Sequence, residues 1–118
     1  MRPVSSFLKI YFHREPIDMR KQINGLSILV EQGMNLSPLD GALYLFLNAR
    51  ADILKILYWD KTGFALWQKR LEKNRFLPPR NMAERNIILT SKQVELLLEG
   101  YDLSKLRPHD EINYKKIC

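Results

Sequence analysis

The sequence predicts an α+β fold: an antiparallel three- to four-stranded meander sheet, an N-terminal helix packed on one face, and a C-terminal helix. Three observations predict it. Apolar runs of strand length, at 42–48, 53–59 and 64–70, follow one another with short breaks between them. Those breaks, 48–52 and 60–63, are hairpin length and carry Asn48, Asp52, Asp60 and Gly63. Stretches with helical period stand on either side of the three runs. The runs are Leu-rich, and Leu alone does not separate strand from helix. The interspersed aromatics and the Asp-Lys-Thr-Gly breaker favour strand.

The elements follow in chain order. Residues 7–12 (Phe-Leu-Lys-Ile-Tyr-Phe) read as a short strand that Pro16 ends. Asp18 is a good N-cap, and Met19, Ile23, Leu26 and Val30 then recur with helical spacing, Leu29 beside them. Gly25 weakens the middle of this helix, and Gly33 is placed to stop it at C′. A loop over 35–40 leads into the meander. Alternation puts Leu43, Leu45 and Leu47 on one face with Leu54, Ile56 and Tyr58, the face expected to receive the first helix. The opposite face carries Tyr44, Phe46, Lys55, Leu57 and Trp59, so it is aromatic and partly basic rather than plainly polar.

Gly63 is placed to supply a positive φ in the second hairpin, and Asn74 can take a left-handed turn conformation. Pro78-Pro79 breaks the chain, and 78–86 reads as an exposed arm. Thr90 and Gln93 form a capping-box pair, with Leu89 and Val94 at the positions of a hydrophobic staple. Val94, Leu97 and Leu98 give that helix its buried stripe, and Gly100 ends it. The expected organisation is one α+β domain over 1–103 and a flexible C-terminal tail over 104–118.

Composition narrows the function. With 118 residues and 46% apolar side chains, the chain can bury a core without staples. The one cysteine, Cys118, forms no internal disulfide and no zinc site alone, which suits a reducing compartment. Neither a secretory leader nor a membrane-spanning run is recognisable, so a cytoplasmic protein without membrane attachment is expected. His13 and His109 stand far apart with no ligand spacing and read as structural or surface residues. No phosphate-binding glycine loop or nucleophile elbow is present. Asp18, Asp40, Asp52 and Asp60 could gather around a metal only as a distant, nuclease-like alternative, because Asp is common at caps and turns for its own reasons. No catalytic residue, metal site or cofactor is therefore assigned.

Charge is concentrated. Most of the net +6 falls between 61 and 85, where Lys61, Lys69, Arg70, Lys73, Arg75, Arg80 and Arg85 face only Glu72 and Glu84. Phe64, Trp67 and Phe76 are interleaved with these cations, a mixture that suits nucleic acid. Arg20 and Lys21 fall in the expected first turn of the first helix, where cations oppose the macrodipole and a phosphate would relieve the conflict. The candidate nucleic-acid-binding residues are Arg20, Lys21, Lys55, Lys69, Arg70, Lys73 and Arg75. The candidate partner-binding face is Tyr44, Phe46, Leu57 and Trp59.

Five blocks carry a family resemblance. They are Ile17-Asp18-Met19-Arg20-Lys21 with Gly25-Leu26; Gly41-Ala42-Leu43-Tyr44-Leu45-Phe46; Lys55-Ile56-Leu57-Tyr58-Trp59-Asp60 with Gly63-Phe64; Lys69-Arg70-Leu71-Glu72 with Phe76; and Leu97-Leu98-Glu99-Gly100. In this order and spacing the chain resembles the TnpB accessory proteins of the IS-sixty-six type of bacterial insertion sequence, over about residues 8–103. Asn74 stands where relatives usually have Gly, and the tail carries no family block. The resemblance implies a role in DNA transposition beside a separate, larger transposase. The expected function is thus a non-catalytic accessory protein that binds double-stranded DNA, such as the element ends, through the basic patch. Its other expected partners are the transposase and further accessory proteins of the same element. The alternative is a protein-interaction module that docks the transposase through the aromatic sheet face.

Overall fold

The computed structural model describes residues 1–80 and 86–105. A 3-10 turn at Val4–Ser6 precedes strand β1, Ile10–His13. Helix α1 spans Ile23–Ile28 and widens into a single π turn, Leu29–Gly33. Strands β2 (Leu43–Leu47), β3 (Ile53–Asp60) and β4 (Gly63–Arg70) follow. A short β5, Asn86–Ile88, leads into helix α2, Ser91–Leu98.

The three central runs form the meander read from their alternation. Leu45 pairs Ile56 across β2 and β3, and Ile56 pairs Trp67 across β3 and β4. The sheet is larger and mixed, however. It has five strands in the order β4-β3-β2-β1-β5. β1 lies parallel to β2, with Ile10 opposite Leu43, and antiparallel to β5, with Phe12 opposite Ile87. This corrects the antiparallel three- to four-stranded expectation. β1 is buried along its whole length, as a central strand requires, and a parallel pairing needs a long crossover, here 14–42 with α1 in it. β5 begins at Asn86, the last residue of the expected exposed arm 78–86. Of that arm, 81–85 lies outside the described residues.

Both faces of the sheet are covered. On one, Phe12, Leu45, Ile56 and Tyr58 pack with Val94 and Leu97 of α2. On the other, Tyr11, Tyr44, Phe46 and Leu57 pack with Leu26, Val30 and Met34. The alternation was right and the covering was not. The first helix takes the aromatic face, and α2 takes the Leu43, Leu45 and Leu47 face.

The helix ends differ in legibility. Thr90 accepts from Gln93 N at 3.1 Å and its own N–H donates to Gln93 Oε1 at 2.9 Å, completing the capping box. Leu89 and Val94 are both buried in one cluster, and Gly100 turns out at φ 93°. At α1, by contrast, Asp18 is not the N-cap. Its carboxylate accepts from Arg20 N at 2.9 Å in a local turn, and the helix starts after Gln22. Arg20 and Lys21 therefore precede the helix rather than occupy its first turn. Gly33 is not the left-handed stop either. A Cβ there would lie 2.7 Å from Leu29 Cδ1, and the positive φ falls on Asn35. In the second hairpin the positive φ is taken by Lys61, at 51°, and not by Gly63.

Candidate nucleic-acid interface

The topology gathers the basic residues at one end of the sheet. β1, β2 and β4 all finish there and β3 begins there. Arg14, Arg50 and Arg70 consequently lie at the same end of the sheet although they are far apart in sequence.

The loop 70–80 is the centre of this end. Its anchors are backbone groups: Leu71 N donates to Asp52 O at 2.8 Å, Phe76 N to Ala51 O at 2.7 Å, and Leu103 N to Leu77 O at 2.8 Å. Phe76 is 1% exposed and locks the loop into the α2-side core. Asn74, at φ 67°, makes the reversal that its residue type allows. Between these anchors Arg70, Lys73 and Arg75 are exposed, and Glu72 is the one acidic side chain from 70 to 80. A groove of about 410 Å³ opens beside them, with Phe76, Leu77 and Pro79 among its walls and Arg14, Arg75 and Arg80 around it. Arg80 lay in the basic stretch but was not singled out. Arg14 reaches the groove only through the parallel pairing of β1, which the sequence did not reveal.

The facing turn 48–52 is built by Asn48. Its Oδ1 accepts from Asp52 N and Ile53 N at 3.0 and 3.1 Å, and its Nδ2 donates to Asp52 Oδ1 at 2.6 Å. Asp52 is thereby used in shaping the turn.

The remaining predicted cations are placed differently. Arg20 and Lys21 are exposed on the loop after Ile17, whose N–H donates to Leu47 O at the same end of the sheet. Arg20 already has an anion: its guanidinium grips Asp18 at 2.6 to 3.1 Å and holds that carboxyl at about 2. Lys69 is half-buried, and its Nζ donates to Leu98 O at 2.9 Å, filling an orphan carbonyl at the end of α2.

Lys55 is not a surface residue. It is 1% exposed, and its Nζ donates to Met19 O at 2.8 Å and Lys21 O at 2.7 Å. Burial pushes its pKa down, partly offset by the charge of Asp18. Lys55 thus fastens the Arg20–Lys21 loop from inside. The partner face is corrected as well. Tyr44, Phe46 and Leu57 are 0% exposed because α1 lies over them. The Tyr44 hydroxyl lies 2.8 Å from Ser37 O and 2.9 Å from Asp40 Oδ1; burial first, and then the Asp40 carboxylate, push its pKa up. Trp59 alone of the four is partly exposed, edge-to-face on Phe64 at 5.1 Å.

His13 is buried against Phe46, and its Nδ1 donates to Glu15 O at 2.7 Å, a structural role. His109 and Cys118 lie outside the described residues. Among the described residues, no three His, Cys, Asp or Glu side chains gather as a metal set, and no helix is long and apolar enough to cross a membrane.

Two uncharacterized proteins of Sinorhizobium fredii (strain NBRC 101917 / NGR234) are similar to this chain. One, y4jC, is 30% identical over 100 residues, covering 85% of this chain and 85% of the relative. The other, y4hO, is 33% identical over 103 residues, covering 86% of this chain and 88% of the relative. No solved structure matches. The family model for IS66 Orf2 like protein matches residues 8–108, which spans the sheet, both helices and the basic loop, and the chain belongs to that IS66 Orf2-like family.

Proposed function

We propose that this chain is a non-catalytic accessory protein of insertion-sequence transposition that binds duplex DNA through the basic end of its sheet. The observation that carries the reading is the loop 70–80. Its backbone is fastened at Leu71, Phe76 and Leu77, and its cations stand in solvent with a single carboxylate among them. Cations held on an ordered backbone lose less freedom on meeting a polyanion. Arg14, Arg50 and Arg80 extend the same surface, with Arg20 and Lys21 at its margin.

The carboxylates support the non-catalytic part. Asp18 grips Arg20, Asp52 shapes its turn, and Asp40 accepts from Ala42 N at 2.9 Å. Asp18 and Asp52 stand at one end of the sheet, Asp40 and Asp60 at the other. Phosphate contacts position a protein without reading sequence, so the loop supplies affinity and the transposase is left to choose the site.

The test is a fluorescence titration of labelled duplex DNA with the wild-type chain and with the double variant Lys73→Ala and Arg75→Ala. The double variant is expected to keep its fold and to bind more weakly to every duplex alike. Equal binding by the two proteins would overturn the reading.

A further inference from the structure

The groove beside the loop 70–80 holds about 410 Å³, within the range of about 300–1,000 Å³ usual for ligand sites. Its walls are mostly apolar, and Pro16, Pro78 and Pro79 stiffen them. Ala49 is exposed within it and Leu77 half-buried. Arg14, Arg75 and Arg80 stand around it, and among the described residues no carboxylate lines it. Acids do lie near. Asp102 accepts from Ser104 Oγ at 2.6 Å and Ser104 N at 2.8 Å, which holds its carboxyl low, with smaller help from Lys105 and Arg80. Asp52 is bound in its turn, and Glu15 and Glu72 are exposed next in sequence to Arg14 and Lys73. Arg14 has an interaction of its own. Against these four acids stand Arg14, Arg50, Lys73, Arg75, Arg80 and Lys105, so the surround stays cationic. Arg80 shares its charge with Asp102, and Arg75 stands in solvent on the anchored loop.

The other polar groups of the wall are largely spent. Leu47 O accepts from Ile17 N at 2.9 Å, Phe76 N donates to Ala51 O at 2.7 Å, and Leu77 O accepts from Leu103 N at 2.8 Å. Asn48 builds its turn, and the Ser104 hydroxyl serves Asp102. The three prolines have no N–H. An extended peptide lying there would find few partners for its own backbone. A nucleotide makes different demands. Its flat base needs apolar contact and stacks on guanidinium planes, its polar edge stays in water at the open side, and its phosphate pairs with a guanidinium.

We propose that this groove seats an unpaired nucleotide of a DNA strand, next to the duplex held by the loop 70–80. The inference rests on the DNA reading of that loop, because loop and groove share Arg75 and the anchors at Phe76 and Leu77. Arg75 is the main phosphate partner, and the apolar wall receives the base. With Asn48 and Ser104 already engaged, the seat holds any base alike. What it selects is the absence of pairing, since a base still stacked in the duplex does not reach the wall. The protein therefore prefers a duplex with a single-stranded segment beside it over one paired throughout.

Fluorescence competition tests this with a blunt duplex and two versions of it that carry an overhang of about six residues. One overhang is thymidine; the other is abasic, with the same charge and no bases. The wild-type chain is expected to bind the thymidine overhang about tenfold more tightly than the abasic one, as stacking of one base implies. Ala49→Leu crowds the groove without changing its charge or adding an aromatic ring. It should lose most of that preference and hold the blunt duplex as the wild type does. Equal binding of the two overhangs by the wild type would overturn the proposal, and so would a preference that a folded Ala49→Leu variant keeps. The blunt duplex reads the loop separately. Its binding beside equal overhangs removes the groove and spares the loop, whereas no binding of any of the three removes both. Should Ala49→Leu not fold, photo-crosslinking of a bromouracil overhang to the wild type decides. Adducts are expected within 47–51 or 75–80, and adducts confined elsewhere would overturn the proposal.

Discussion

Lys69 and Arg75 are both basic residues of one short stretch, yet the fold gives them different work. Lys69 joins β4 to the end of α2 through Leu98 O, whereas Arg75 stands in solvent on an anchored loop. Lys69→Met should therefore lower unfolding free energy by about 1 kcal/mol, as expected for one charged hydrogen bond near the surface. Lys73→Ala with Arg75→Ala should change stability by less than about 0.5 kcal/mol. Urea melts of the two proteins check this. Lys55 makes a pH prediction. Its pKa in the folded chain lies below the ordinary 10.5, so the unfolded chain binds the proton more tightly. Stability contributed by this site should rise as pH climbs through the window between that depressed value and 10.5. The stability difference between wild type and Lys55→Met, followed from neutral pH upward, should shift in favour of the wild type; a flat difference would remove the buried charge from the account. Lys55 was misread from sequence because a lone Lys in an apolar strand looks like a solvent face. Only the loop folded over it shows two carbonyls waiting for its ammonium.

Elements were legible where local chemistry decides them. β2, β3 and β4 emerged within a residue or two, because alternation and turn residues act over a few neighbours. The capping box at Thr90 emerged for the same reason, and Thr90→Ala should cost about 1 kcal/mol in a thermal or urea melt. Elements that depend on distant partners were not legible. β5 is three residues held by β1, and the parallel join of β1 to β2 spans the whole 14–42 connection. The length of α1 was overestimated because Met19 keeps the helical spacing while Asp18 and Arg20 close a turn instead. The second hairpin offers a further test. Lys61 holds φ 51°, a conformation costing a non-glycine residue about 1–2 kcal/mol. Lys61→Gly relieves this and gives back part of it as chain entropy, so a net gain of about 0.5 kcal/mol is expected from the urea midpoint.

At the scale of the whole molecule, the sheet works as a gathering device. Strand direction brings Arg14, Arg50, Arg70 and the loop 70–80 to one end, and the two helices cover both faces. That covering removes the aromatic face as a docking surface and leaves the basic end exposed. The sequence showed the charge cluster but not its shape, because Arg14 joins it only through the parallel strand.

The salt dependence of duplex binding is the sharpest check on the phosphate contacts assigned to the loop 70–80. For the wild-type chain, the logarithm of the association constant should fall linearly with the logarithm of salt concentration. For Lys73→Ala with Arg75→Ala, the slope should be shallower by about 2, one unit for each phosphate contact removed. Wild-type binding that ignores salt, or a slope that the double substitution leaves unchanged, would contradict the assignment of the loop 70–80 to DNA.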